Sequence, residues 1–192
     1  MAKHLLKAFL HGIFLLAVFP SAAASAFGRW KPLYTICAHT YAMAPGLVGD
    51  YLRIAFYRLT LSECSLSSCV SFGSFFAHPE ARLGSRAYVG SFCIIGKAVI
   101  GEHTQIASGV QILSGRRQHS RNEEGHISGV GDGVLTTVTI GAHCWIGAGA
   151  IVMADVGPGT TIGAGAVVTH PIPAKSVAVG NPARVVRTAA QS

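Results

Sequence analysis

Apolar and polar positions follow two different rhythms along this chain, and the change of rhythm divides it. Residues 5 to 19 are almost wholly apolar, and the polar residues in or just before them, Lys3, His4, Lys7 and His11, fall at i, i+1, i+4 and i+8. That spacing predicts a helix with its cations on one face, as in a helix lying at a lipid headgroup boundary with its charges turned outward. The same stretch also fits a secretory leader: Lys3 and Lys7 as its charged start, Ala8 to Phe19 as its apolar centre, Ala24-Ser25-Ala26 as a small-residue cleavage site. A spanning helix needs about 20 apolar residues, and Pro20 interrupts the run, so a full span is the weaker expectation. A second helix is predicted over Pro45 to Leu61, with Asp50, Arg53 and Tyr57 at i, i+3 and i+7 on an otherwise apolar surface. Packing on the rest of the chain and contact with a membrane both fit it.

From Leu66 onward glycine, small residues and branched aliphatics recur with a period of six. Leu66 and Phe72 open it, with Val70 and Phe76 four places after each. Leu83, Val89 and Ile95 follow, each with a glycine next to it (Gly84, Gly90, Gly96) and with Ala87, Cys93 and Val99 four places on. Ile100, Ile106 and Ile112 resume after a one-residue slip; Ile140, Ile146 and Val152, then Val156, Ile162 and Val168, complete the pattern. A helix needs a period near 3.6 and an ordinary strand a period of 2, so a sustained six predicts short strands separated by tight turns. Each strand sends one aliphatic inward and the glycine admits the turn. Three such sides make a triangular coil, and because no coil buries its core alone, several must stack.

Residues 114 to 137, rich in Gly, Arg, His, Glu and Asp, interrupt the period and must loop out of the coil. Long loops in compact domains are mostly functional or disordered. The chain thus reads as helical segments over 1–61, coil over 62–173 with loop 114–137, and a tail over 174–192.

Composition sharpens this picture. With 50% hydrophobic and 12% charged residues the chain is more apolar than an average soluble domain, which fits a membrane-associating front end. The formal charge of +7 favours anionic partners. No helix-turn-helix, zinc-finger or RNP-like pattern accompanies it, so phosphate or lipid is expected rather than nucleic acid. The five cysteines, Cys37, Cys64, Cys69, Cys93 and Cys144, show no CxxC spacing; they read as small buried thiols in a reducing compartment, and no metal site is expected.

Three segments carry a specific resemblance: Ile140-Gly141-Ala142-His143-Cys144-Trp145-Ile146-Gly147, Ile162-Gly163-Ala164-Gly165-Ala166-Val167-Val168-Thr169, and Gly180-Asn181-Pro182-Ala183-Arg184-Val185-Val186-Arg187. They resemble the hexapeptide-repeat acetyltransferases of the galactoside and maltose type, over residues 83 to 187, with a nearer likeness to acetyltransferases of bacterial exopolysaccharide and lipopolysaccharide synthesis. Residues 1 to 60 have no counterpart in the sugar acetyltransferases. The resemblance implies a left-handed parallel β-helix, a homotrimer with active sites between neighbouring coils, acetyl-CoA as co-substrate and a catalytic histidine on the protruding loop. His119 is the expected base, with His126 as its competitor; related loops often carry a histidine two places earlier, where this chain has Arg117. Imidazole suits the task because it titrates near neutrality. By the same resemblance a backbone N–H near Ala148 holds the oxyanion, Ala148 and Ala164 line the pantetheine arm, Thr169 meets it further on, and Arg184 and Arg187 meet the phosphate end. His170 stands where a lysine is usual.

The sugar acetyltransferases hold their acceptor with an Asn and an Asp; here Ser91 stands near the Asn position with no evident Asp partner. A sugar or lipid-linked glycan is the expected acceptor, and the cytoplasmic face of a bacterial inner membrane the expected location, since acetyl-CoA is cytosolic. Two other functions fit a coil of this kind: a zinc hydrase like the γ-type carbonic anhydrases, and a non-catalytic membrane scaffold. His103, His119, His126 and His143 do not show the zinc spacing. His4, His11, His39 and His78 are expected at the surface or on the membrane face, and His103 and His143 in solvent.

Overall fold

A computed structural model of the chain describes residues 2–115, 124, 126–127 and 135–188, with side chains from residue 5 onward. Its described part opens with helices α1 (Ala2–Ala24), α2 (Lys31–Ala42) and α3 (Gly46–Thr60). Very short strands follow and form the three faces of a left-handed parallel β-helix. Face A holds β1 (Glu63–Cys64), β4 (Arg82–Leu83), β7 (Ala98–Ile100) and β10 (Val138–Ile140). Face B holds β2 (Cys69–Val70), β5 (Tyr88–Val89), β8 (Gln105–Ile106), β11 (Trp145–Ile146), β13 (Thr161–Ile162), β15 (Ser176–Val179) and β16 (Arg184–Thr188). Face C holds β3 (Phe75–Phe76), β6 (Ile94–Ile95), β9 (Gln111–Ile112), β12 (Ile151–Val152) and β14 (Val167–Val168). All pairings are parallel except β15 with β16, where the tail folds back as an antiparallel edge strand.

The register explains the period of six. In each strand one residue points in and its neighbour out, and the inward ones stack between coils: Leu83 on Ile100 on Ile140, Val89 on Ile106 on Ile146, Ile95 on Ile112 on Val152. All of these are buried. Small corner residues are buried too, among them Ala87, Cys93, Thr104, Cys144 and Ala166. Thr104 shows why a small polar residue suits a corner: its hydroxyl donates to the Gly141 carbonyl at 2.7 Å and accepts the Cys144 N–H at 3.1 Å, stitching two coils.

In the first coil the inward residues are Cys64, Val70 and Phe76, while Leu66 and Phe72 are only half-buried. The reading that opened the pattern on Leu66 and Phe72 is therefore two places out of phase. The first coil is covered by helices instead of another coil, and this admits bulkier and polar residues that blur the repeat. The slip after Ile95 is resolved by Ala98, which takes the small buried place expected for Val99.

α2 and α3 plug the open end of the coil. Tyr34 of α2 donates to the Phe76 carbonyl at 2.9 Å, and the Tyr57 hydroxyl of α3 accepts the Phe76 N–H at 3.2 Å. The line Asp50, Arg53, Tyr57 proves to be the buried face of α3. Arg53 is fully buried and donates to the carbonyls of Val70, Tyr41, Ala42 and Ala44 while pairing with Asp50. A guanidinium can be buried here because its donors meet the Val70 and Ala44 carbonyls and share those of Tyr41 and Ala42, which also accept the N–H groups of Ala44 and Gly73.

α1 lies on α3. Pro20 does not end it: the helix continues to Ala24. The only bond forfeited is to the Leu16 carbonyl on the uncovered side, while packing on the other side carries the helix past it. His11 does not point outward with a basic stripe. Its ring is buried beside Tyr51, 5.0 Å between centroids, and Leu5, Leu6, Phe9, Ile13, Leu16 and Phe19 form the exposed face. Which face of α1 meets protein is decided by Tyr51 of α3, against which His11 and Phe14 pack.

Candidate functional site

The B–C corner of the coil is built from turns whose second residue is left-handed. At Gly109, Gly149 and Gly165 φ is +73°, +67° and +66°, a conformation that glycine adopts without steric cost. A side chain at Gly149 or Gly165 would meet nothing within 4 Å, so bare backbone lies along this corner of the later coils. The residues just before these glycines, Ser108, Ala148 and Ala164, are small and exposed and stack coil upon coil. The glycine N–H groups hold the column together: Gly149 donates to Ser108 at 3.0 Å and Gly165 to Ala148 at 2.8 Å. The N–H groups of Ala148 and Ala164 themselves have no acceptor among the described residues.

Towards the helical end the same corner carries a pair of aromatic rings. Phe92 takes the left-handed corner place at φ +59° and meets Phe72 edge-on at 5.5 Å. Ser91 sits beside it on the same column. At the other end β16 crosses face B, with Arg184 opposite Val179 at the B–C side and Arg187 opposite Val177 towards the A–B corner. Arg187 shares a cleft of about 290 Å³ with Lys175, Thr161 and Ser176. Phe92, Ser108 and Lys175 were not anticipated from sequence; the signal that could have found them is the corner place of each repeat, next to the conspicuous aliphatics.

The C–A corner carries the other expected residues. The loop leaves the coil there after β9, and Thr169 follows β14 two coils on, its hydroxyl 3.0 Å from His170 Nδ1. Ala148, Ala164 and Arg184 thus share one corner, whereas Thr169 and the root of the loop lie across the full width of face C. His119 lies outside the described residues. His126 is exposed, with Nδ1 3.4 Å from Glu124 Oε2.

His103 and His143 occupy left-handed places on the A–B corner and stack, with ring centroids 4.9 Å apart and planes at 11°. Parallel rings do not converge on one ion, and among the described residues no three metal-binding side chains cluster. None of the five cysteines is disulfide-bonded. Burial raises the thiols of Cys93 and Cys144 above their ordinary range and pushes that of Cys64 up to about 12, so these three are packing residues and not nucleophiles.

Residues 137–170 match the bacterial transferase hexapeptide family, described as six repeats. No curated protein matches the sequence. Among solved structures, a maltose O-acetyltransferase from Clostridium difficile 630 superposes with a TM-score of 0.65 at 25% identity, over 87% of this chain and 90% of that one, so part of residues 1 to 60, expected to have no counterpart in such proteins, has one. A hexapeptide-repeat acetyltransferase from Vibrio cholerae in complex with acetyl-coenzyme A gives a TM-score of 0.59 at 17% identity, over 87% of this chain and 89% of that one. The polySia-specific acetyltransferase NeuO gives 0.52 at 21% identity over 64% of this chain, which spans 58% of NeuO's length. Repeat and architecture agree: residues 137–170 carry the hexapeptide repeat of that family, and the chain has the left-handed parallel β-helix fold.

Proposed function

We propose that this protein transfers an acetyl group from acetyl-CoA to a hydroxyl of a sugar or lipid-linked glycan. The observation that carries this reading is the exposed B–C corner. It offers bare glycine turns, two unpaired N–H groups one coil apart and an arginine at its far end, which suits a long arm ending in phosphates. The pantetheine lies along Ala148 and Ala164, and Arg184 meets the phosphates. Arg187, one cleft further round, pairs with phosphate from the side that Lys175 also faces.

In the reaction His119 accepts the proton of the acceptor hydroxyl as its oxygen attacks the thioester carbonyl. The new C–O bond forms, the carbonyl becomes an oxyanion held by the Ala148 N–H, and the C–S bond then breaks. The departing thiolate takes the proton back from the imidazolium, leaving the base ready for another cycle. His126 is the second candidate for the same role.

Because the loop leaves at the C–A corner and the donor lies along the B–C corner, a homotrimer in which the loop of one subunit covers the B–C corner of the next places base and amide together. Thr169, on the loop's own corner, then serves the neighbour's pantetheine. The uncovered apolar face of α1 supports attachment to the cytoplasmic face of an inner membrane, where polysaccharide precursors and cytosolic acetyl-CoA meet. The deciding experiment is calorimetric titration with coenzyme A, together with acetyl transfer to oligosaccharides followed by mass spectrometry. Binding without transfer to any glycan rejects the catalytic reading.

A further inference from the structure

The helices and the coil share one geometry that fixes how the molecule stands on a surface. α3 is sandwiched: Arg53 and Tyr57 on one side reach Val70 and Phe76 of the first coil, and Tyr51 on the opposite side receives His11 and Phe14 of α1. α1 runs crosswise over this end of the coil. Near its start Lys7 and His11 share a pocket with Ser68 and Cys69, and the turn that follows it lies against Pro79, so it crosses the end of the coil from one side to the other on top of α3. The side of α1 away from α3 therefore faces along the coil axis. That side is Leu5, Leu6, Phe9, Ile13, Leu16 and Phe19, with Leu16 77% and Phe9 66% exposed. No acidic residue precedes Asp50; Lys7 and Arg29 lie at this end of the molecule, while Lys31 is paired with Glu80 at 3.2 Å. The charge complements anionic headgroups and the apolar stripe suits the acyl boundary.

We propose that the protein docks end-on to an anionic lipid surface through this face of α1, with the coil axis along the membrane normal, and that its acceptor is a glycan chain long enough to bring a hydroxyl well clear of the headgroups. Two helix layers of about 9 Å each and coil steps of roughly 4.8 Å place the Ala148 turn roughly 30 Å from the α1 axis. The aromatic pair of Phe92 and Phe72 lies on the membrane side of that turn and the Arg184 end on the far side. The acceptor thus comes up from the membrane while the donor enters from solvent. A hydroxyl on the first sugar of a lipid carrier is out of reach. The statement about acceptor length rests on the acetyl-transfer reading; the docking geometry does not.

The two tryptophans allow a direct test. The full chain carrying Phe9→Trp, Trp30→Phe and Trp145→Phe has its probe on α1, and Trp30→Phe alone leaves Trp145 on the fourth coil. Both are mixed with phosphatidylethanolamine and phosphatidylglycerol vesicles whose acyl chains are brominated. Flotation with the vesicles, loss of most emission from the residue 9 probe and unchanged emission from Trp145 are expected. Quenching of Trp145 means the coil lies on its side and overturns end-on docking. Absence of flotation overturns docking altogether, and a doubled particle mass without flotation assigns the face to a second copy. Binding without quenching at residue 9 assigns the contact elsewhere and also rejects the proposal. For acceptor length, the wild-type protein is given lipid-linked acceptors of increasing glycan length beside a free oligosaccharide. Transfer to the free and the long lipid-linked glycans but not to a lipid-linked monosaccharide is expected. Equal transfer to the monosaccharide overturns the stand-off. No transfer to any glycan overturns the acetyl-transfer reading and with it the statement about acceptor length, while the docking geometry stands on the quenching result.

Discussion

Two glycines two residues apart show how finely single positions are specified. A Cβ on Gly147 would lie 2.4 Å from the Ala164 nitrogen of the next coil, whereas one on Gly149 meets open space and only its φ of +67° calls for glycine. Gly147→Ala is therefore expected to force the coils apart. Gly149→Asn should be tolerated, since asparagine visits left-handed backbone readily, and Gly149→Val should lose about 1–2 kcal/mol. Urea unfolding followed by circular dichroism orders the three, and equal losses for the two Gly149 variants would reject backbone conformation as the cause. The proposed base belongs to the same scale. His119→Ala should lower acetyl transfer about 100-fold or more while coenzyme A still binds, because the imidazole acts on the acceptor and not on the donor. Unchanged turnover moves the role to His126.

Among the elements, α3 joins the coil to α1 and does so through one arginine. Arg53 satisfies four backbone carbonyls besides Asp50. Arg53→Met strands the Val70 and Ala44 carbonyls and a half-buried carboxylate, and should destabilise the protein by about 3–5 kcal/mol. Hydrogen exchange should then speed up first in α2, α3 and the first coil. The α1–α3 contact carries a different sensitivity. Both ring nitrogens of His11 are buried without a hydrogen-bond partner, and burial, helped by the Lys7 charge, lowers its basicity below that of a free histidine. The unfolded chain thus binds the proton more readily than the folded one, so stability falls as pH drops through the ordinary histidine range. Thermal melts at pH 7.5 and pH 5 should differ more for the wild type than for His11→Leu, and the variant should also be the more stable at both, having no stranded imidazole. A His11→Leu protein with an undiminished acid shift would place the sensitive group elsewhere.

For the whole molecule, the separation of B–C corner and loop across face C makes a test of assembly possible. Light scattering should give three chains per particle. Mixed trimers refolded from a His119→Ala parent and a parent whose B–C corner is blocked by Ala148→Trp should regain transfer that neither parent has, because one subunit supplies the base and its neighbour the B–C corner. Full activity from a monomer, or no recovery in the mixture, would sink the shared site. A trimer also turns all three α1 faces to one side, adding their affinities for a surface.

The coil was legible in the sequence because each strand must send one aliphatic into a narrow prism, and that local demand writes a period of six from Leu83 to Val168. The repeat segments around Trp145 and Ala164 were legible too, since each lies within one or two turns. What the sequence did not reveal were facts about surfaces meeting. α2 was not anticipated, being too short and too mixed in character to announce itself. The spacing of Asp50, Arg53 and Tyr57 did not say which side of the helix turns inward; only the carbonyls of Val70 and Ala44, brought together by the fold, make burial of Arg53 favourable. His11 looked like part of an outward stripe until Tyr51 covered it. The sequence alone thus determined the repeat, and with it the coil, because that information is carried by neighbours along the chain. The inward and outward faces of the helices, the alignment of Ala148 with Ala164, and the direction in which α1 looks were decided by tertiary structure. Each depends on which group lies opposite, and no local pattern records that.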